Sequence, residues 1–153
     1  NFLHGVPHFA ISIALKIEKE IIAGLIFDPI KNEIFYAEKN NGAFFNNQRV
    51  RVSRKNDINE CLFGTGGKLD KNYNFLYRKS GSAALDLAYV AAGRYDGYFQ
   101  KNLKVWDIAA GALIVTEAGG LLNYIDYEDI KIPSIIATNS NINTKLKENL
   151  GNF

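Results

Sequence analysis

Methionine is absent from this chain and cysteine occurs once. A translated polypeptide starts with methionine, whereas this one opens Asn1-Phe2-Leu3-His4-Gly5, so an upstream segment is expected to have been removed, processed or left out of the sequence. With Cys61 alone no intramolecular disulfide can form, which fits a reducing cytosol. Flanked by Leu62 and Phe63, Cys61 reads as a buried structural thiol rather than a nucleophile. No apolar run approaches the roughly 20 residues of a membrane-spanning helix, and no secretory leader is visible. The expected location is cytoplasmic, with no membrane partner. Charge of one sign is also scarce: 18 basic against 16 acidic residues leave a net +2, too little to call for nucleic acid. The densest basic run, Gln48 to Lys55, interleaves Arg49, Arg51 and Arg54 with valines. It reads as a solvated strand face, with a phosphate-backbone contact as the alternative.

What is present is globular. Hydrophobic residues make up 47% of 153 and charged ones 22%, enough for a core and too balanced for disorder. The length suits one domain or part of a larger one, without internal repeats. The first third reads as short strands at Phe9–Ile17, Ile21–Phe27, Glu33–Ala37 and Gly42–Phe45. Asn, Gly and Pro separate them, the pattern of an antiparallel meander. Asp28-Pro29 reads as turn chemistry rather than a site.

After Asn56 the pattern changes. Cys61–Gly64 reads as a strand ending in Gly64-Thr65-Gly66-Gly67, a turn or a weak phosphate cradle without a following lysine. Leu69–Tyr77 reads as a helix or an irregular loop. Ser82–Gly93 and Asp107–Gly119 are apolar nearly all round, the mark of helices covered on every side. Ser82 and Asp107 suit N-caps, and Gly93 and Gly119-Gly120 suit stops. Strands are expected at Tyr95–Phe99, Leu121–Ile125 and Ser134–Thr138, with a closing helix at Thr144–Leu150. The sum is layered α/β or α+β.

Chemistry has few candidates. Asp107 follows the only tryptophan, Trp106, at the head of a buried helix. It is either an N-cap or a hard-metal ligand, since Mg²⁺ prefers carboxylate oxygens. Gly81-Ser82 leads into a helix N-terminus, where unpaired N–H groups favour anions; plain capping is the alternative. His4 and His8 are four apart, but Gly5 and Pro7 between them rule out a zinc-binding helix. They read as ordinary polar or packing residues.

Three segments together resemble the inositol monophosphatase family, more closely its bacterial branch. Asn1-Phe2-Leu3-His4-Gly5 is similar to the tail of the family motif Asp-Pro-x-Asp-Gly-Thr-x-Asn-Phe-x-His-Gly. The run Gly81-Ser82-Ala83-Ala84-Leu85-Asp86-Leu87-Ala88-Tyr89-Val90-Ala91-Ala92-Gly93-Arg94 resembles a second signature. Trp106-Asp107-Ile108-Ala109-Ala110-Gly111, followed by Glu117-Ala118-Gly119-Gly120, resembles a third. The likeness runs from Asn1 to about Asn139.

The resemblance implies an α/β (α+β layered) sugar-phosphatase fold of the inositol-phosphatase/fructose-bisphosphatase kind. Residues 1–153 would be the C-terminal part of a single domain, 1–55 forming antiparallel strands and 56–153 a second α/β layer. It implies Mg²⁺ ions that activate a water for in-line attack on phosphorus, inhibition by lithium, and a small polyol phosphate such as inositol 1-phosphate as substrate. Apolar helix faces left uncovered without the upstream part of the fold are expected to make the chain a homodimer or an aggregate. Asp107 falls on a metal ligand that also touches substrate hydroxyls. Gly81, Ser82 and Ala83 fall on ring-contacting positions. The family's other carboxylate ligands and its water-activating threonine would lie before Asn1, so weak activity or none is expected of this chain. Gln100, seven residues before Asp107, stands where the family has a hydroxyl-binding glutamate; an amide donates as well as accepts there. The rival expectation is a non-catalytic module that dimerises or docks on protein or RNA through Arg49, Arg51 and Arg54. A split enzyme completed by a second polypeptide is a third.

Overall fold

The computed structural model describes every residue except Asp70, Tyr124 and Asn152. The meander is present as β1 (Ile11–Ile17), β2 (Glu20–Asp28), β3 (Glu33–Glu38), β4 (Gly42–Phe45) and β5 (Gln48–Val50). Each strand pairs antiparallel with its predecessor, so the sheet runs in chain order. The turns follow their residues. Asp28 is fully buried and accepts the N–H groups of Ile30 and Lys31 at 2.9 and 3.1 Å. Asn32, Asn40, Asn46 and Asn47 take positive φ, which Asn tolerates better than most residues.

The second sheet holds β6 (Leu62–Thr65), β7 (Leu76–Lys79), β8 (Gly97–Lys104), β9 (Leu121–Leu122) and β10 (Lys131–Thr138). Their order is β7-β6-β8-β10-β9. β6 runs parallel to both β7 and β8, while β10 is antiparallel to β8 and β9. Helices α1 (Ala83–Ala91) and α2 (Val105–Glu117) share one core with both sheets. Their alanines and glycines allow the close approach. A methyl group on Gly111 of α2 would fall 2.6 Å from the Leu87 Cβ of α1, nearer than carbon atoms tolerate. Helix α3 (Asn143–Leu150) packs Leu146 and Leu150 with Phe63, Phe99 and Ile136 in a second cluster. The layers are sheet, helix pair, sheet and helix: the α/β layering expected of an inositol phosphatase fold.

Several boundaries differ from expectation. α2 begins at Val105, and Lys104, in extended backbone, is its N-cap. Asp107 is therefore the third helical residue rather than the cap. β8 runs to Lys104, well past Phe99, because β10 pairs with it along its length. Between Leu69 and Tyr77 no helix forms; the described part is irregular until β7 begins at Leu76, and Asp70 lies outside the described residues. The expected strand at Leu121–Ile125 is a strand only over Leu121–Leu122, with the Asn123 N–H still donating to the Ile136 carbonyl at 3.2 Å; Tyr124 lies outside the described residues. The basic run is a strand only as far as Val50.

The largest surprise is β1. Ile11, Ile13, Leu15 and Ile17 are all more than half exposed, at 53, 60, 53 and 54%. The opposite face of the strand, with Ser12, Ala14 and Lys16, borders a hollow shared with Val105, Trp106 and Ala109 of α2.

Candidate active site

Two helix N-termini and the N-terminal segment meet around a cleft of about 410 Å³. Gly81, Ser82 and Ala83 line one side and Trp106 and Asp107 another, with Asn1 and His8 beside them. Four of the five candidate site residues thus come together from positions some 25 apart in sequence.

The Gly81 turn is held tightly. Gly81 has φ +84, in the left-handed region that glycine reaches without strain. A methyl group there would also fall 2.9 Å from Asn1 Nδ2. That amide nitrogen donates to the carbonyls of His8 at 2.6 Å and Ser80 at 2.9 Å, tying the N-terminal segment to the turn. Ser82 caps α1, its hydroxyl accepting the Leu85 N–H at 3.4 Å. The next two amides, of Ala83 and Ala84, are given to no other described residue. Unpaired first-turn amides and the positive end of the helix dipole suit an anion or a hydroxyl oxygen.

Asp107 is half-buried on the first turn of α2. Its Oδ2 accepts the Lys104 N–H at 2.9 Å, so one oxygen serves the helix. Trp106 beside it leaves 60% of its surface in solvent, an apolar face open at the rim. His8 packs edge-on to Tyr89 with ring centroids 6.3 Å apart. Burial first, and then the nearby Lys31 ammonium, hold its imidazole below the usual histidine range, so at neutral pH it is uncharged. His4, in a single turn of 3-10 helix, is exposed and outside the cleft.

Gln100 does not join the cleft lining. Its side chain lies against Gly66, and Oε1 accepts the Tyr98 hydroxyl at 2.5 Å. The Gly64–Gly67 cluster is no phosphate cradle here. Gly64 and Thr65 belong to β6, Thr65 donates to the Phe99 carbonyl at 2.6 Å, and the Gly67 carbonyl accepts Lys79.

Among the described residues no group of three or more His, Cys, Asp or Glu side chains is placed to hold a metal. Mg²⁺ can be bound through one or two carboxylates, substrate phosphate and several waters. Asp107 is the one carboxylate among the described residues of the cleft lining. A larger cleft, about 630 Å³, opens at the far end of α2 among Lys19, Lys39, Glu117 and Glu128. Glu117 there is already engaged, accepting the N–H groups of Asn40 and Gly42 at 2.8 and 2.9 Å.

Residues 1–151 match the model of the inositol monophosphatase family. The chain belongs to that family. An inositol-1-monophosphatase of Rhizobium meliloti is 39% identical over 165 residues, covering 97% of this chain and 62% of the relative. The Nus factor SuhB of Pasteurella multocida is 44% identical over 137 residues, covering 80% of this chain and 51% of its own length. The solved structure of extragenic suppressor protein suhB from Bartonella henselae superposes with a TM-score of 0.89 at 44% identity, over 99% of this chain and 65% of that one. This family member thus spans about three-fifths of the Rhizobium relative. Asn1, His8, Trp106 and Ser80 were not singled out as site residues by sequence patterns. Asp86 carried a signal, being an acid inside a helix otherwise apolar on every side.

Proposed function

We propose that this chain carries the substrate-facing part of a Mg²⁺-dependent phosphomonoesterase acting on inositol 1-phosphate or a similar polyol phosphate. The observation that supports it is the shared cleft of Gly81, Ser82, Ala83 and Asp107. The amides at the head of α1 would face substrate oxygens, and Trp106 would lie at the rim. Asp107 would bridge one metal ion and a substrate hydroxyl. Bound Mg²⁺ would supply a hydroxide and neutralise charge on the phosphoryl oxygens, with lithium as the inhibiting competitor. Gln100, held by Tyr98 outside the cleft, would reach the substrate only after a change of rotamer.

One carboxylate holds Mg²⁺ weakly, so turnover by this chain alone should stay near background. Phosphate release from inositol 1-phosphate, with and without Mg²⁺, tests this beside Asp107→Asn. Mg²⁺-dependent release that Asp107→Asn leaves unchanged would contradict the assignment of Asp107.

A homodimer is part of the same proposal, supported by the bare apolar face of β1. A cytoplasmic setting fits the single reduced thiol; among the described residues no helix is long and apolar enough to cross a membrane. The second reading, a docking module, rests on Arg49, Arg51 and Arg54, which are all exposed, and on relatives named Nus factor SuhB. Charge reversal at the three arginines should abolish any RNA or protein capture if that reading holds. Capture unchanged by the reversal would remove its support.

A further inference from the structure

Asn1 is anchored at both ends. Its carbonyl accepts the N–H groups of His4 and Val6, each at 3.0 Å. Its Nδ2 donates to two backbone carbonyls, those of His8 at 2.6 Å and Ser80 at 2.9 Å. An amide nitrogen carries two hydrogens and only donates, whereas the amide oxygen only accepts. Two carbonyl partners therefore fix which end of the side chain is nitrogen, and they use both of its hydrogens. Oδ1 has no partner among the described residues. Asn1 is exposed, so that oxygen is open to a ligand.

Gly81 makes room for the amide. A methyl group on Gly81 would fall 2.9 Å from Nδ2 and 3.0 Å from Oδ1, so any side chain there would push the amide aside. Asn1 shares the cleft lining with Gly81, Ser82, Ala83 and Asp107. The α1 side of that cleft offers donors, the amides of Ala83 and Ala84. Asn1 adds a neutral acceptor of fixed direction beside them. A hydroxyl and an anionic oxygen both accept an N–H, but only the hydroxyl has a hydrogen to give in return. A donor next to an acceptor thus suits a hydroxyl. A phosphate or carboxylate oxygen in the same place would face a lone pair, which counts against it.

We propose that Asn1 is a specificity-determining residue of the cleft: its Oδ1 accepts the hydrogen of a ligand hydroxyl, so this end of the cleft takes a free hydroxyl in preference to an anionic or hydrogen-less group. The ligand class is a polyol monophosphate whose hydroxyl at that position is free, not a polyol carrying a second phosphate there. That the ligand is a polyol phosphate rests on the phosphatase reading above; the preference for a hydroxyl does not.

The test uses three probes: inositol 1-phosphate with Mg²⁺, its deoxy analogues lacking each free hydroxyl in turn, and free inositol without Mg²⁺. In the wild type the loss of one particular hydroxyl should weaken binding about fivefold, the worth of one neutral hydrogen bond. In Asn1→Ala that analogue and its parent should bind within about twofold of each other. An Asn1 that only holds the turn in shape would weaken parent and analogues by a common factor when replaced, and that result overturns the proposal. Asn1→Ala also cuts both tethers, so the second readout is the wild type's own Asn1 side-chain amide, followed by ¹H–¹⁵N NMR. Its signals should shift as free inositol is added. Signals that answer neither inositol nor inositol 1-phosphate overturn the proposal as well. An Asn1 amide that answers inositol, in a chain that binds inositol 1-phosphate no better than inositol, would sink the phosphatase reading and uphold the hydroxyl preference.

Discussion

Asp107 and Lys104 close the head of α2 on each other, the Oδ2 of Asp107 accepting the Lys104 N–H at 2.9 Å. One carboxylate oxygen is thereby committed to the helix. The residue's role in the fold and its proposed role in chemistry can be separated, because an amide oxygen accepts the same bond. Asp107→Asn should lower stability by less than about 1 kcal/mol, the loss of one charge near a helix N-terminus. Urea unfolding of both proteins measures this, and a much larger loss would mark Asp107 as mainly a structural cap.

Asp86 should make stability depend on pH. Its folded-state value is raised from 3.8 to about 7 by burial. Below about pH 4 the carboxyl is protonated whether folded or not, and the penalty is absent. As pH rises toward 7 the unfolded chain ionises first, so the folded state loses stability; above 7 the full penalty remains. Between pH 4 and 8 the stability of Asp86→Asn relative to wild type should rise by on the order of 2–4 kcal/mol. Denaturant midpoints at several pH values show it, and a difference independent of pH would contradict it.

Cys61 should be inert in the folded chain. It is fully buried, donates from Sγ to the Asp57 carbonyl, and burial followed by the charge of Asp96 pushes its thiol up to about 11. At pH 8 roughly one molecule in a thousand would carry the reactive thiolate. A disulfide-exchange reagent should label it only on unfolding. Rapid stoichiometric labelling in native buffer would show the site to be open.

The outer face of β1 should drive association. Ile11, Ile13, Leu15 and Ile17 form a row of exposed apolar side chains on an edge strand, a combination that favours contact with another chain. Light scattering should find a dimer or larger species, and Ile13→Lys with Leu15→Lys should shift it to monomer. A compact wild-type monomer across a wide concentration range would contradict this.

β1 also shows where the sequence ran out. Alternation identifies Ile11, Ile13, Leu15 and Ile17 as sharing a face, but not which face meets the helices. Here the set Ser12, Ala14 and Lys16 faces α2 across a hollow and only Ser12 is partly buried. The two central helices were legible because an element apolar on every side must be covered on every side, and Gly111 against Leu87 completes that reading. The start of α2 was not: Lys104 is an uncommon cap, and Asp107 offers the better capping side chain from inside the helix. In the site, Ser82 and Gly81 were visible as cap and turn. Gln100 was placed by its distance from Asp107 along the chain, and its bond with Tyr98 keeps it out of the cleft. The bond from Asn1 Nδ2 to the Ser80 carbonyl joins residues 79 apart in sequence, which no local pattern records.

The most direct measurement is an amide ¹H–¹⁵N NMR titration of the chain with inositol 1-phosphate in the presence of Mg²⁺, run beside Asp107→Asn. The account predicts shifts at Gly81, Ser82, Ala83 and Trp106 that are lost or strongly weakened in the variant. Shifts confined to the larger cleft around Lys19 and Lys39, or none at any concentration in demonstrably folded protein, would contradict it.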